Sequence, residues 1–350
     1  MLSPRPRVRL APLTTLGVGG DASFVVDGAD DATVLEAFRW GREHGVAARV
    51  LGGGSNVVVG DGGFDGLVVR MLTRGRAFTP AGGELVLDAA AGEPWDELVA
   101  EAVARGAQGL ECLSGIPGLA GATPIQNVGA YGQEVAETIA SVRVLDRETL
   151  ETEVFSAAAC RFGYRDSFFK SDAPERYVVL GVSFRLRPNA PPSVRYAELA
   201  QSLASDGAEP TLERVRRAVL ALRRGKSMLL DASDENGRSC GSFFVNPVVT
   251  RERAAAVELA AALPHDARMP RYPQANGSVK LAAGWLIERA GFAKGTRRGA
   301  VGLSTKHALA LVAHDGAQAA DVLGLAREIQ GAVRAKFEVE LTPEPVFWGI

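Results

Sequence analysis

Apolar positions along the chain alternate between two periods. In residues 31–44, DATVLEAFRWGREH, the residues Val34, Leu35 and Phe38 fall on one face at helical spacing, and Gly45 stands where a helix would stop. AARVL, SNVVV, GLVVRM and ELVLDAAA follow, short runs dense in apolar and β-branched residues that predict strands. Residues 94–105, PWDELVAEAVAR, return to the helical period with Pro94 near the first turn. After a glycine-rich loop at 114–132, SVRVLDRETLETEVF predicts a hairpin turning at DRET, and YVVLGVSFRL predicts a buried strand over 177–186.

RPNAPPSVRYAELAQSLASDGAEP is rich in Pro and small residues and marks a domain boundary. Beyond it, PTLERVRRAVLALRR sets Val215, Ala218, Val219 and Leu222 on one helical stripe. HALALVAHD predicts a strand, residues 317–337 a long helix repeating Val322, Leu325, Ile329, Val333 and Phe337, and FEVELTPEPVFWGI closes the chain. Helices and strands mix without regular βαβα alternation, which predicts α+β lobes rather than one doubly wound sheet.

With 350 residues, 47% of them hydrophobic, the chain can fill two or three domains. Its 39 basic and 41 acidic residues nearly cancel, so no nucleic-acid-binding face is implied. No run approaches the ~18 apolar residues that read as a membrane span. MLSPRPRVRLAPLTTL carries three arginines without an apolar core, which suits a basic tether better than a signal peptide. Cys112, Cys160 and Cys240, odd in number and far apart, fit reduced thiols in a cytoplasmic protein. His44, His265, His307 and His314 lack metal-ligand spacing, so no metal site is expected.

Two motifs match in letters and fail in context. GVGGDA, 17–22, satisfies G-x-G-x-x-A, but SFVVDG after it is strand-like where a dinucleotide fingerprint needs a helix. LRRGKS, 222–227, ends like a P-loop, yet Leu220 stands where the first glycine belongs and a helix precedes it.

Two glycine loops carry more weight. VLGGGSNVVVGDGGFDGLVV puts Gly52, Gly53, Gly54, Ser55 and Asn56 between apolar strands, where successive backbone N–H groups can form an anion nest. LSGIPGLAGATPIQNVGAYG holds Ser114, Gly115, Pro117, Gly118, Thr123, Gln126, Asn127 and Gly129. A loop so long and glycine-rich is rarely mere connection, and two in one lobe suit the two sides of a dinucleotide's diphosphate. Further on, RSCGSFFVNP, 238–247, sets Cys240 two residues before Ser242 and leaves open which of them does chemistry.

These blocks, with YRDSFFK, KLAAGWLIERAG and the terminal PEPVFWG, resemble the UDP-N-acetylenolpyruvoylglucosamine reductases, flavoenzymes that complete UDP-N-acetylmuramate for bacterial peptidoglycan. The matches run in order from about residue 12 to residue 349. The resemblance implies an FAD-binding module of two α+β subdomains over 12–190 (12–75 and 76–190), then a substrate-binding α+β domain over 205–350. FAD would lie on Gly52–Asn56 and on the second loop. Arg165, Ser242 and Glu344 match the family's catalytic residues, and Tyr164, Tyr196, Lys226 and Asn246 its substrate contacts. NADPH would be co-substrate to a cytoplasmic monomer with neither nucleic-acid nor membrane partners. The chain departs from the family pattern at Val245, where many members have Lys, in the acidic insertion over 229–236, and at Thr14–Thr15, where an Asn-Thr pair is common.

The implied reaction reduces an enol ether conjugated to a carboxylate. Negative charge grows at C2 and spreads into the carboxylate, so the site needs a cation there and a proton donor at C2. Arg165 offers a planar fork for the carboxylate, Ser242 the proton, and Glu344 would have to be protonated or neutralised by a cation. Cys240 is left as a packing residue. Another FAD oxidoreductase on the same module and a flavin-free nucleotide-sugar-binding protein are the competing readings.

Overall fold

The computed structural model describes residues 2–204, 207–264 and 268–350. His265 and the expected domain start at residue 205 lie outside them. Seven α-helices form among the described residues: α1 Asp31–Glu43, α2 Trp95–Ala104, α3 Ala197–Ala204, α4 Leu212–Gly225, α5 Arg251–Ala260, α6 Ala283–Arg289 and α7 Ala319–Phe337. Capping follows local chemistry. Asp30 accepts from the Thr33 N–H at 2.7 Å to open α1, and Thr211 and Thr250 accept in the same way for α4 and α5.

The described fold resolves into two compact units, one made of residues up to Val8, Ala22–Gly53 and Asp65–Leu229, the other of Arg9–Asp21, Gly54–Phe64 and Leu230–Ile350. The units are therefore not sequential, and the first glycine run is divided between them after Gly53.

In the first unit a four-stranded sheet orders Arg5–Arg9, Asp21–Gly28, Phe64–Met71 and Ala48–Leu51, the last two parallel. Val34, Ala37 and Phe38 of α1 share its core with Val26, Leu67 and Val69. A second, antiparallel sheet runs Thr152–Ser156, Ile139–Asp146, Tyr177–Pro188, Glu84–Ala90, Arg76–Ala81. Trp95 of α2 packs against Phe184 on it, ring centroids 5.7 Å apart, and both are buried. Each sheet thus covers one face with a helix, which is the expected α+β pattern.

In the second unit, α5, α6 and α7 close over two small antiparallel sheets, and Val57–Val59 pairs in parallel with Val346–Trp348. Asp61 accepts from the Ala319 and Ala320 N–H groups at 2.7 and 2.9 Å, so the loop after Val57–Val59 satisfies the first turn of α7. No described helix is long and apolar enough to cross a membrane.

Three expectations change. The N-terminal arginines form an edge strand rather than a tether, with Arg5 paired to Asp27 at 3.0 Å. The Pro-rich boundary contains α3, whose Leu199 and Leu203 are buried with Val215 and Val219 of α4. Tertiary burial there outweighs the local breakers. Only Leu311–Ala313 of HALALVAHD is strand, because the Ala310 N–H turns back to the His307 carbonyl at 3.1 Å. Arg76–Ala81 also pairs with Glu84–Ala90 across Gly82–Gly83, both at positive φ, a hairpin turn that the G-G pair could have signalled.

Candidate active site

In the first unit the two glycine loops meet backbone to backbone. A Cβ on Gly53 would lie 2.9 Å from the Gly118 Cα, while Gly52 and Gly53 stay exposed. Only glycine leaves this crevice open for a diphosphate to come close to the backbone. The second loop is wrapped on the start of α2: Gly118 accepts from the Trp95 N–H at 3.1 Å, and Ala120 donates to the Glu93 carbonyl at 2.9 Å. Gly115 is clasped from both sides. Its N–H donates to Asp96 Oδ1 at 2.5 Å, and its carbonyl accepts from Arg223 Nε at 3.1 Å. Asp96 also takes Arg216 bidentately at 2.6 and 2.8 Å. Burial works against ionisation of Asp96, but its bonds with Arg216 and Gly115 outweigh it and hold the carboxyl below its ordinary range.

The polar residues of this loop are brought together but are largely turned inward. Ser114 donates to the Glu111 carbonyl at 2.7 Å, and Thr123 donates to the Ala120 carbonyl at 2.8 Å. Asn127 Nδ2 donates to Glu134 and to the Gly163 carbonyl, and its Oδ1 accepts from the Ala136 N–H. The glycine crevice fits FAD, whose diphosphate needs close approach to backbone without a Cβ in the way.

Arg165 is bolted to the same loop. Its Nη2 donates to the Gly129 carbonyl at 2.7 Å, its own carbonyl accepts from Lys170 Nζ at 2.7 Å, and its guanidinium lies 5.7 Å from the Tyr164 ring centre. Its φ of 54° is a strained value for a non-glycine residue. Behind it, Phe155, Phe168, Phe169 and Tyr177 form a cluster of edge-on and tilted rings. The neighbouring Asp166 carboxylate accepts from the Ser167 N–H and the Ser171 hydroxyl.

Tyr196 and Lys226 meet through residues that no motif singled out. Tyr131 lies edge-on to Tyr196 at 5.5 Å and 5.9 Å below the Lys226 ammonium, and Glu198 pairs with Lys226 at 2.6 Å. Burial pushes the Tyr131 hydroxyl up to about 12. Only the α3 and α4 pairing reveals Tyr131, Glu198 and Arg223 as neighbours. The one local hint was Glu198 two residues after Tyr196.

In the second unit, Ser242 and Glu344 are side by side. The Glu344 N–H donates to the Phe243 carbonyl at 2.9 Å, and Val245 donates to the Thr342 carbonyl at 3.0 Å. Phe243 and Phe244 are fully buried beneath them, so the turn that carries the half-buried Ser242 rests on a rigid floor. Asn56 Nδ2 donates to the Glu344 carbonyl at 3.4 Å, and its own carbonyl accepts from Val346. Thr15, given little weight by sequence, ties Gly54 to the same turn: its N–H donates to the Gly54 carbonyl at 3.0 Å and its hydroxyl to the Ser239 carbonyl at 2.6 Å. Asn246 Oδ1 accepts from Ala283 at 2.9 Å, which leaves its amide as the group available to a ligand. The acidic insertion docks on this unit, Asn236 exchanging hydrogen bonds with Thr305 at 2.9 and 3.0 Å. Cys240 is buried, and burial pushes its thiol up to about 12. No metal-binding cluster occurs among the described residues.

Comparisons with known proteins identify the family. Residues 22–151 match the model of an FAD binding domain, and residues 232–348 that of the UDP-N-acetylenolpyruvoylglucosamine reductase C-terminal domain. UDP-N-acetylenolpyruvoylglucosamine reductase of Saccharopolyspora erythraea is 50% identical over 98% of this chain and 95% of its own. That of Nocardia farcinica is 50% identical over 99% and 90%. Among solved structures, the reductase of Thermus caldophilus superposes with a TM-score of 0.67 at 26% identity, covering 99% of this chain and 100% of its own. Glycine crevice, Ser242 turn and near-full-length similarity together establish that the chain belongs to the UDP-N-acetylenolpyruvoylglucosamine reductase family.

Proposed function

We propose that this chain reduces UDP-N-acetylenolpyruvoylglucosamine to UDP-N-acetylmuramate with Arg165, Ser242 and Glu344 as the catalytic residues. The activity, its FAD and the NADPH that reduces it follow from the family. The observation that supports the catalytic assignment is the backbone bond from the Glu344 N–H to the Phe243 carbonyl, which brings the Glu344 segment beside the Ser242 turn above the buried Phe243 and Phe244.

Bound FAD would supply a hydride to the β-carbon, C3, of the enol ether. The chain's own residues handle the charge that results. The Arg165 guanidinium, preset by Gly129, takes the substrate carboxylate and stabilises the charge spreading into it. The Ser242 hydroxyl gives its proton to C2. An alcohol is a weak acid, but a carbanion beside a cation-bound carboxylate is basic enough to accept from it. Glu344, held beside the Ser242 turn by its N–H bond to the Phe243 carbonyl, orients that hydroxyl. The loops Gly52 to Asn56 and Ser114 to Gly129 would hold FAD. Tyr164, Tyr196, Lys226 and Asn246 bind the nucleotide-sugar. In this division 12–190 serves FAD and 205–350 serves substrate, although α4 is carried on the first compact unit. The reading extends to a cytoplasmic monomer without nucleic-acid partners, in keeping with a net charge of −2.

The test separates two half-reactions in stopped-flow absorbance. Ser242→Ala should keep NADPH-driven bleaching of the flavin and lose reoxidation by the enolpyruvyl substrate by about 10²-fold or more. Cys240→Ala should keep both. A dead Cys240→Ala beside a healthy Ser242→Ala would overturn the assignment.

A further inference from the structure

Lys226 follows the last residue of α4, and its ammonium is already held. Glu198, in the first turn of α3, accepts from it at 2.6 Å, and the Tyr131 ring lies 5.9 Å below it. The pair is open to solvent, with the Lys226 and Glu198 side chains 33% and 40% exposed. Tyr196 is joined to the same turn, its carbonyl accepting from the Ala200 N–H at 2.9 Å and its ring edge-on to Tyr131.

If Lys226 binds an anionic oxygen of the substrate, Glu198 occupies the position of that oxygen beforehand. We infer that Glu198 is a specificity-determining placeholder: its carboxylate competes with an anionic oxygen of the substrate for the Lys226 ammonium. This rests on the reading of Lys226 as a substrate contact. An exposed ion pair is weak, so a dianionic diphosphate displaces it readily, while a neutral sugar or a bare uridine does not. The carboxylate therefore keeps Lys226 pre-oriented over Tyr131 and screens out uncharged ligands at small cost to the true substrate.

Competition and positioning predict opposite signs. Glu198→Gln keeps the shape and removes the charge, so it should lower the KM for the enolpyruvyl substrate by about two- to fivefold, the strength expected of an exposed pair. The gain should shrink as salt is raised. Glu198→Asp should restore the wild-type KM. Lys226→Met should raise KM by about tenfold or more, and adding Glu198→Gln to it should change nothing further. UDP as a competitive inhibitor distinguishes the source of the anion. A Ki that tightens in parallel identifies the diphosphate, and an unchanged Ki identifies the substrate carboxylate.

A raised or unchanged KM in Glu198→Gln overturns the placeholder, as does a gain that persists without Lys226. If Lys226→Met leaves KM unchanged, the substrate-contact reading of Lys226 falls as well. If Lys226→Met raises KM while Glu198→Gln has no effect, the placeholder alone falls.

Discussion

Thiol–disulfide exchange at the three cysteines tests the proposition that the residue beside the catalytic turn is chemically inert. Cys112, Cys160 and Cys240 are 0%, 0% and 4% exposed. Burial raises their thiols to about 12, about 11 and about 12, and the Glu344 charge adds to the effect at Cys240. Only the thiolate attacks a disulfide reagent. A thiol of ordinary pKa, ~8.5, is about a quarter ionised at about pH 8, whereas one at about 12 is ionised in roughly one molecule in 10⁴. The difference slows Cys112 and Cys240 by roughly 10³-fold before access is counted, and Cys160 by roughly 10²-fold. The holoenzyme treated with Ellman's reagent should therefore release almost no thiolate while the urea-unfolded chain releases three equivalents, and NADPH-linked activity should persist. One thiol reacting at the rate of a small-molecule thiol, with loss of substrate-dependent reoxidation, would refute the reasoning and return Cys240 to the list of catalytic groups.

Two further outcomes follow from the glycine loops. Gly53→Ala drives a Cβ to within 2.9 Å of the Gly118 Cα, backbone against backbone, so one loop must shift. The expected cost is about 1–3 kcal/mol, or roughly 5- to 150-fold in FAD affinity by equilibrium dialysis; retained wild-type affinity would show that the crevice does not hold the cofactor. Asp96→Asn should weaken FAD retention several-fold, because Gly115 and Arg216 lose a charged acceptor. The Asp96 carboxyl is depressed in the folded state, so its stabilisation is fully present above its ordinary value of 3.8 and is lost as pH falls through the folded value. The stability gap between wild type and Asp96→Asn in urea titrations should close on acidification, and a gap that widens would contradict the assignment.

The legible parts of the site were those that local chemistry dictates. Consecutive glycines between strands either turn the chain tightly or let another backbone or a ligand come close, and Ser242 follows a Gly241 at positive φ whose turn is written in the residues themselves. The period of Val215 and Val219, and that of Val322 to Phe337, placed α4 and α7 correctly. Asn127 shows the limit. Its type suggested a ligand contact, but its side chain is consumed by Glu134, Gly163 and Ala136, partners that no spacing reveals. Arg5 shows it from the other side, since an edge strand is indistinguishable from a tether until its neighbour Asp21–Gly28 is known.

By itself the amino-acid sequence determined the α+β composition, the two glycine loops and the family, because backbone freedom, helical period and ordered motifs are properties of neighbours along the chain. The tertiary structure alone decided that Gly53 faces Gly118, that Thr15 ties Gly54 to Ser239, and that Glu198 holds Lys226. Those contacts join residues 65, 224 and 28 positions apart, measured from the same numbering. Their partners are selected by packing and electrostatics in three dimensions, where no periodicity along the sequence survives to announce them.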